Sequence, residues 1–298
     1  MIRTPLPLDV IIPVFGAGPQ LERTLDALQR QAPSVGRIIV SHSGDGDPTA
    51  RLADRGVTVL HSRTRLYAGA ARNRGLAVSD AAWIAFVDED VVVADGWHAA
   101  LLEAAAADTA ECLLGSIGWE ERGGYWGMAV WFIEFGSVHP YLPARPVMGG
   151  GSGNMAVDTA AFRAIGGFPE DWRRAQDSVV HARLRAAGQR VWFVPRAVGR
   201  HVNLPGFHRM LRHLHDSGAH AARLRRARGE LPGAVAVRHP VLSLGLWLAR
   251  LAQLAARVIG AQRGPLGTLL LHAPAIIVGL LAWNAGFSRV AFRRDESA

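Results

Sequence analysis

Residues 83–93 read WIAFVDEDVVV, an apolar run that ends in three consecutive acidic side chains, Asp88, Glu89 and Asp90. Carboxylates crowded in this way repel one another, and this repulsion raises their pKa values unless a cation lies among them. A solvated strand end leading into a turn would carry the same residues. Hard divalent cations such as Mg²⁺ and Mn²⁺ prefer oxygen ligands, so the stretch also suits a metal site. The surrounding sequence has to decide between the two.

The segments before this run alternate between β-branched apolar stretches and stretches with helical spacing. Residues 8–16 predict a buried strand, and residues 19–31 place three leucines on one helical face, Leu21, Leu25 and Leu28. Strands that alternate with helices at these lengths predict βαβ units and a mostly parallel sheet. Ligands bind at the carboxyl ends of strands in such sheets, which is where the acidic stretch lies. Further along, residues 97–112 predict an alanine-rich helix, and residues 113–150 show no clean period.

The overall composition indicates an anionic partner and a reducing compartment. The 298-residue chain has a formal net charge of +8, which suits nucleic acid, a phosphorylated substrate or an acidic membrane surface. Nucleic acid is disfavoured because the arginine-rich region 200–228 lacks interleaved aromatic residues and any nucleic-acid motif. The single cysteine, Cys112, excludes an internal disulfide framework. The proline-broken start of the chain predicts no signal peptide.

The C-terminal third has a different character. Residues 206–230 combine many Arg and His residues with one apolar side, as in a helix lying on an anionic membrane, and we expect Arg209 and Arg212 to hold a phosphate of a molecule bound there. Residues 240–260 are apolar apart from three polar side chains on one helical face, Arg250, Gln253 and Arg257. Residues 265–287 are long enough to cross a hydrocarbon core. The two apolar segments predict a membrane hairpin, or else buried helices or a dimer contact.

Four stretches, in this order, resemble the family 2 glycosyltransferases of GT-A fold: VIIPVFGAGPQLERTLDAL, LYAGAARNRGLAVSDAAWIAFVDEDVVVADGW, GSGNMAVDTAAFRAIGGFPE and QDSVVHARLRAAGQRVWFVPRAVGRH. The resemblance covers residues 8–202. It implies an α/β GT-A fold, with a mostly parallel mixed sheet flanked by helices, and here a C-terminal hydrophobic helical appendage follows. The corresponding domains are a catalytic domain (1–205), a basic helix and linker (206–233) and a membrane-associated segment (234–298).

The resemblance also implies a divalent-metal site for Mn²⁺ or Mg²⁺. Asp88 and Asp90 match the family's Asp-x-Asp element, in which the first Asp faces the ribose or a metal-bound water and the last ligates the metal. A cation there would neutralise the charge that develops on a diphosphate leaving group. His201 matches a histidine that some GT-A enzymes use as a further metal ligand. A hydrogen-bonded loop histidine is the alternative.

Further matches outline substrate contacts. Arg72 and Asn73 match a segment that lines the nucleotide pocket, where an arginine pairs with diphosphate oxygens. The loop after the first strand, which borders the base in the family, corresponds to Pro13, Val14 and Phe15. Residues 150–154 resemble the loop that precedes the acceptor-side helix, and we expect Gly153 and Asn154 to contact substrate.

Asp177 matches the Asp of a Glu-Asp pair that serves as general base in the family. Inversion needs one carboxylate on the acceptor side to take the proton of the attacking hydroxyl. A helix N-cap is a plainer role for Asp177, and the two roles are compatible. Gln176, also expected at the substrate site, stands in place of the customary Glu.

One departure concerns the base. Relatives usually follow the second strand with Asp-Asp or Asp-Asn, of which the first Asp reads the base, and here Ser41 and His42 stand in those places. Asp45 or Asp47 would substitute only after a shift of the loop. We therefore expect Ser41 at the base site, and the family's common uridine preference does not carry over.

The sequence as a whole predicts an inverting glycosyltransferase at the cytoplasmic face of a cell membrane, in bacteria the inner membrane. Its partners are a nucleotide-sugar donor, a lipid-linked or polysaccharide acceptor and an anionic membrane surface, and a homo-oligomer through the C-terminal helices is left open. The alternative is a degenerate GT-A module that binds a nucleotide sugar or polyanion without turnover. Ser41 and Gln176 favour the alternative, whereas Asp88, Asp90 and Asp177 count against it.

Overall fold

The computed structural model describes residues 8–16, 20–119, 123–173, 175–201, 206–227, 229, 231, 233–261 and 264–293. The chain divides into two compact units. The first comprises the chain up to residue 118 together with residues 143–201, and the second comprises residues 119–142 and the chain from residue 202 onward. The prediction about the start of the chain lies outside the described residues. The sequence-based boundaries at 205 and 233 stay a prediction.

The first unit is built on one mixed sheet. Its strands are β1 (Leu8–Phe15), β2 (Ile38–Ser43), β3 (Thr58–Ser62), β4 (Trp83–Val87), β5 (Val91–Val93), β6 (Cys112–Trp119), β7 (Arg145–Pro146), β8 (Asn154–Asp158) and β9 (Val191–His201). They form a nine-stranded sheet in the order β3-β2-β1-β4-β8-β6-β9-β5, with β7 beside β9. The half from β3 to β4 is parallel. Strand β8 runs antiparallel to β4 and β6, and β9 antiparallel to β5 and β7.

The helices follow the strands in chain order. They are α1 (Gln20–Gln29), α2 (Thr49–Leu52), α3 (Ala68–Val78), α4 (Trp97–Ala106), α5 (Gly124–Phe135), α6 (Thr159–Ala164), α7 (Gln176–Ala186), α8 (Phe207–Ala227), α9 (Val235–Arg238), α10 (Leu246–Gly260) and α11 (Leu266–Phe292). Short 3₁₀ segments cover Ala53–Arg55 and Pro240–Gly245. Strands β1, β2 and β4 are buried almost throughout because helices cover both faces of a parallel sheet. On one face, Gly75 of α3 lets that helix approach the side chain of Ile11 closely.

One sequence prediction about the first unit was wrong at its edge. The helix predicted over 97–112 ends at Ala106, because Asp108 adopts a left-handed φ of 51° and Cys112 already begins β6. The region 113–150, which showed no clean period, contains β6 and α5. Nearly all of β6 is buried and α5 is apolar on most of its surface. Elements without a polar face leave no period of two or of 3.6 in the sequence.

The second unit is a helical assembly around α11. The long helix α11 packs against α8, α5, α10 and the 3₁₀ segment before α10. Two stretches among the described residues, Pro240–Gly260 and Leu266–Phe292, are long and apolar enough to cross a membrane, although the core helix of a soluble protein passes the same test. In the most apolar 18-residue window of each stretch, 17% of the first and 39% of the second is buried.

Helices α8 and α11 approach each other so closely that two glycines are needed. A Cβ on Gly218 of α8 would overlap the carbonyl group of Trp283, and a Cβ on Gly286 of α11 would overlap that of His215. The buried side of α8 consists of Met210, Leu214, Gly218, Ala219 and Ala222. The apolar side that the sequence assigned to a membrane surface is therefore covered by α11.

This contact predicts a stability difference between two glycines of one helix. Gly286→Ala is expected to destabilise the protein by about 1–3 kcal/mol, since overpacked backbones have to separate. Gly267→Ala, also in α11, meets open space and should leave stability unchanged or slightly raised, because alanine favours helices. Chemical denaturation of both variants measures the difference. Equal effects would contradict the close contact.

Candidate active site

The carboxyl end of β4 meets β8 at the predicted ligand crevice. The last residue of β4, Val87, pairs with Asn154 of β8, and the acidic stretch follows directly. Close by, β5 pairs with the end of β9, so that Val91 lies opposite His201. Elements far apart in sequence thereby place Asp88, Asp90 and His201 at one edge of the sheet.

Asp88 is held by an arginine of α3. Nη2 of Arg72 lies 2.6 Å from Oδ1 of Asp88, and the guanidinium stacks over the ring of Phe168 with 5.1 Å between Cζ and the ring centroid. Arg72 is 3% exposed, so it is not a solvated helix-face arginine. Its Nε has no hydrogen-bond partner among the described residues. Arg72 thus has donor capacity left beside the Asp88 carboxylate.

Asp90 faces His201. Oδ2 of Asp90 lies 3.4 Å from Nε2 of His201. Burial raises the pKa of Asp90, the negative charge of Asp88 raises it further, and His201 acts in the opposite direction. Burial, followed by the charges of Asp90 and Asp88, raises the pKa of Glu89 to about 7. The site therefore disfavours the carboxylates' negative charge, a condition that a bound cation would relieve.

The donor set tests whether a metal fits. Within the described ranges, no group of three or more His, Cys, Asp or Glu side chains is arranged to hold a metal ion by itself. Asp90 and His201 supply an oxygen and a nitrogen donor, and Asp88 lies next to them. Mg²⁺ is commonly bound by one or two carboxylates plus substrate phosphates and water. The residues present fit a divalent cation that binds together with a diphosphate.

A glycine-rich loop, residues 149–154, links this acidic stretch to Asp177. The backbone N–H of Asp88 donates to the carbonyl of Gly153 (3.1 Å), and a Cβ on Gly153 would collide with the Asp88 carboxylate. One residue earlier, the hydroxyl of Ser152 donates to Oδ1 of Asp177. Ser152 thus contacts the side chain of Asp177, and Gly153 contacts Asp88. The loop therefore sets the distance between these two carboxylates.

Asp177 lies in the first turn of α7. The N-cap is Ala175, with a left-handed φ of 65°, so Asp177 does not cap the helix. A non-glycine residue in that conformation carries strain, which often occurs at functional sites. Gln176 is buried, and its Oε1 has no partner among the described residues. The Asp177 carboxylate itself is half-buried and has one oxygen engaged by Ser152.

Because a Cβ on Gly153 would displace Asp88, we expect Gly153→Ala to lower activity strongly, by about tenfold or more, the scale of small misplacements at a reacting site. Gly151→Ala is the matched control, since a Cβ there meets nothing within 4 Å. Steady-state kinetics with the two variants measure the effect. Equal activities would contradict the role of this contact in holding Asp88.

Two predicted contact residues have scaffold roles. The amide of Asn154 accepts from Trp97 (2.7 Å) and donates to the carbonyls of Ser116 and Ala197 (2.9 Å each), and the residue is 2% exposed. The amide of Asn73 bonds the backbone of Phe168 and the Glu170 carboxylate. Contrary to the sequence-based expectation, both amides face protein partners, because buried amides must be satisfied inside the fold.

The end of β1 presents an aromatic ring. Phe15 is 52% exposed, and the guanidinium of Arg65 stacks over it with 4.2 Å between Cζ and the ring centroid. Val14 points into the hydrophobic core instead. Pro13 lies opposite Ser41 in the register of β1 and β2. Sequence reasoning missed Arg65, because nothing in its surroundings indicates that it reaches back to β1.

The end of β2 holds a histidine pair. Nδ1 of His42 lies 2.9 Å from Nδ1 of His61 on β3, and the two rings stack. Burial, and then the proximity of His61, lowers the pKa of His42. Among the described residues, Ser41 Oγ and His42 Nε2 are buried without a hydrogen-bond partner. His61 was not singled out in the sequence, although the in-register pairing of β2 and β3 brings it opposite His42.

Comparison with solved structures identifies the fold. The mannosyltransferase PcManGT from Pyrobaculum calidifontis, in complex with GDP-Man and Mn²⁺, matches over 96% of this chain and 88% of its own, with a TM-score of 0.59 and 19% identity. GalNAc-T7 with UDP, GalNAc and Mn²⁺ matches 69% of this chain and 45% of its own, with a TM-score of 0.54 and 17% identity. These likenesses confirm the predicted GT-A fold.

The family is shown by sequence. The family model of glycosyl transferase family 2 matches residues 9–166, and the chain belongs to this family. It is 25% identical to the succinoglycan biosynthesis protein ExoA of Rhizobium meliloti in an alignment 337 positions long, gaps included, which covers 96% of each chain. It is 26% identical to the pre-mycofactocin glycosyltransferase of Mycobacterium tuberculosis over 280 residues, 85% of this chain. The match spans 56% of that mycobacterial protein's length.

Proposed function

We propose that the chain is a metal-dependent, inverting glycosyltransferase that moves a sugar from a nucleotide-diphosphate donor to a hydroxyl or phosphate of a lipid-linked or polysaccharide acceptor. The observation that carries the proposal is the loop 149–154, which contacts the donor-side Asp88 through Gly153 and the acceptor-side Asp177 through Ser152. A donor-side cluster and a base that are held at a fixed distance by one loop suit an in-line displacement between two substrates.

On the donor side, Asp90 and His201 would hold the cation, and Mn²⁺ or Mg²⁺ bound there supplies positive charge beside the diphosphate. Arg72 orients Asp88 through one nitrogen and has a second donor free for a diphosphate oxygen. Phe15 and Arg65 offer the base a stacking surface at the end of β1, whereas Ser41 is fully buried. The presence of Mn²⁺ in the similar structures of GalNAc-T7 and PcManGT supports the choice of metal.

On the acceptor side, Asp177 accepts the proton of the attacking hydroxyl through the carboxylate oxygen that Ser152 does not engage. The acceptor oxygen bonds to the anomeric carbon as the bond to the diphosphate breaks, and the nucleoside diphosphate leaves with the bond's electron pair. Attack from the face opposite the leaving group inverts the configuration. Because Gln176 replaces the Glu that is customary at this position, the residue before Asp177 carries no carboxylate.

The activity is tested by incubating the purified full chain with a panel of nucleotide sugars and Mn²⁺ and measuring release of nucleoside diphosphate. We expect release from one donor, abolished by EDTA and restored by excess Mn²⁺. The alternative, a degenerate module favoured by Ser41 and Gln176, would bind a donor without releasing nucleotide. Release that EDTA leaves intact would contradict metal dependence.

The enzyme is proposed to work at the cytoplasmic face of the cell membrane. Large apolar side chains are exposed along the second unit, among them Val241, Leu242, Leu244, Leu248, Ile259, Leu270, Leu271 and Leu281. Apolar surface on this scale marks a membrane or protein contact. The similarity to a succinoglycan biosynthesis protein along its whole length supports an envelope glycan as acceptor.

Fractionation tests the location. The full chain is expected in the membrane fraction. A full chain found wholly in the soluble fraction without detergent would contradict membrane attachment and favour a homo-oligomer through the C-terminal helices. Cross-linking of the soluble chain would then measure that oligomer directly.

A further inference from the structure

The central helix of the second unit, α11, has one exposed side. Its exposed residues before Arg289 are apolar or small and lie on one helical face: Leu266, Gly267, Leu270, Leu271, Pro274, Val278, Leu281 and Ala285. Every other side of the helix is occupied by α5, α8, α10 or the segment before α10. The exposed side therefore forms a single apolar stripe and not a fully apolar cylinder.

Helix α8 lies on the side of α11 away from this stripe. At about 100° per residue, the α11 residues that meet α8 (Gly279, Trp283 and Gly286) point about 130° away from the exposed Val278, Leu281 and Ala285. Going along the chain, Met210 and Leu214 meet Gly279, His215 meets Gly286 and Arg226 meets Val290. Helix α8 thus runs parallel to the second half of α11.

The outer side of α8 is charged. Its exposed residues Arg209, Arg212, Asp216 and Arg223 fall on the face opposite the one buried against α11. The second unit is therefore two-sided, with a charged surface on α8 and an apolar stripe on α11, and the pair of helices lies between them.

Polar contacts inside the second unit hold helix α10 and the segment before it against α11. Arg250 stacks over Trp283, with 4.0 Å between Cζ and the ring centroid, and donates to the carbonyl of Ile133 (3.2 Å). The backbone N–H of Trp247 donates to Asn284 (3.2 Å), and the hydroxyls of Ser243 and Ser288 are 2.8 Å apart. The polar groups of Trp247 and Arg250 therefore turn inward, while Gln253, Arg257 and the apolar Leu248 and Ile259 are exposed.

We propose that the second unit binds in the plane of one leaflet of an anionic bilayer, with the apolar stripe of α11 and the exposed apolar residues of α10 in the lipid, and does not cross the membrane. A spanning α11 would carry α8 with it, because the two glycine contacts leave the backbones no room to separate. Arg212 and Asp216 would then lie in hydrocarbon, where ionised side chains are strongly disfavoured. The inference rests on the proposed membrane location but not on the proposed transfer reaction.

Charge at the edges of the stripe indicates the lipid. Arg257 on α10 and Arg289 on α11 are both exposed, next to exposed apolar residues. Arginines in such positions pair with the head groups of anionic lipids. Arg289→Glu is expected to weaken vesicle binding on the order of tenfold. Arg223→Glu, on the outer side of α8, is the matched charge reversal and should have little effect.

The depth of fluorescent labels at single positions in a bilayer tests the orientation of α11. The native Cys112 is fully buried and burial raises its thiol pKa, so an introduced exposed cysteine labels selectively. We would place an environment-sensitive fluorophore on the full chain at Leu271→Cys, Val278→Cys, Ala285→Cys or Arg212→Cys. Preformed vesicles of phosphatidylethanolamine and phosphatidylglycerol would carry nitroxide quenchers at defined depths, and the unmodified chain would control for labelling of Cys112.

In-plane binding predicts that the three α11 labels are quenched best at one common depth, while the Arg212 label stays in water. A Val278 label deeper than its two neighbours, with the Arg212 label quenched by acyl-chain nitroxides, would show a spanning helix and overturn the proposal. No spectral change with vesicles would overturn both this proposal and the membrane location. The nucleotide-release assay on the same samples reports separately whether the transfer reaction stands.

Discussion

Asp177→Asn is expected to bind the nucleotide sugar with unchanged affinity and to lower turnover by 10²-fold or more, the scale of general-base loss. An amide at this position keeps the shape of the side chain and an oxygen for the Ser152 hydroxyl, but it cannot take up the acceptor's proton. Donor affinity measured by calorimetry with Mn²⁺, and turnover measured by nucleotide release, separate the two effects.

Asp171→Asn is a suitable control, since Asp171 is an exposed carboxylate near the start of the same helix. It should match the parent chain in both measurements. If Asp177→Asn turned over normally, the role of base would have to move to another residue. If it lost donor affinity as well, Asp177 would belong to the donor site and not to the acceptor side.

The second large effect is expected at Asp90. Asp90→Asn should abolish metal-supported donor binding and lower transfer by about 10³-fold, because metal-ion catalysis supplies several kcal/mol of charge stabilisation. The fold should survive, since burial and the Asp88 charge already raise the pKa of Asp90 and the uncharged amide relieves that repulsion. Thermal unfolding with and without Mn²⁺ measures both points.

For the parent chain we expect Mn²⁺ with nucleoside diphosphate to raise the unfolding temperature, as any ligand of the native state does. The Asp90→Asn chain should show the same unfolding temperature as the parent without metal, and no rise with it. An equal rise in both chains would place the metal elsewhere. Loss of the folded state would leave the site untested by this variant, and Asp90→Ser would then replace it.

Much of the fold was readable because its parallel half is encoded locally. Strands β1 and β4 are short apolar runs followed by a glycine or an acidic residue, β2 begins with an apolar run, and helix α1 has a clear apolar side. Strand β6 and helix α5 were missed for a physical reason. Elements that are buried nearly all round have no polar face, so periodicity carries no signal for them.

The acidic stretch and Asp177 were proposed as site residues because their residue types and order match a known pattern, and their roles stay predictions. The loop contacts that join the acidic stretch to Asp177 were not predicted from the sequence. No sequence rule indicates that Ser152 contacts Asp177 while Gly153 contacts Asp88, since these contacts depend on how the loop crosses the end of the sheet. Asn154 misled in the opposite direction, because a polar residue in a glycine-rich loop suggests exposure, whereas here its amide is buried and fully bonded.

The central claim is an in-line displacement between the cation side at Asp90 and the base Asp177, and the configuration of the product tests it most directly. With the donor that the nucleotide panel identifies, the anomeric configuration of the transferred sugar would be read by proton NMR during the first turnovers. The account predicts inversion relative to the donor. A product that retains the donor's configuration would contradict it.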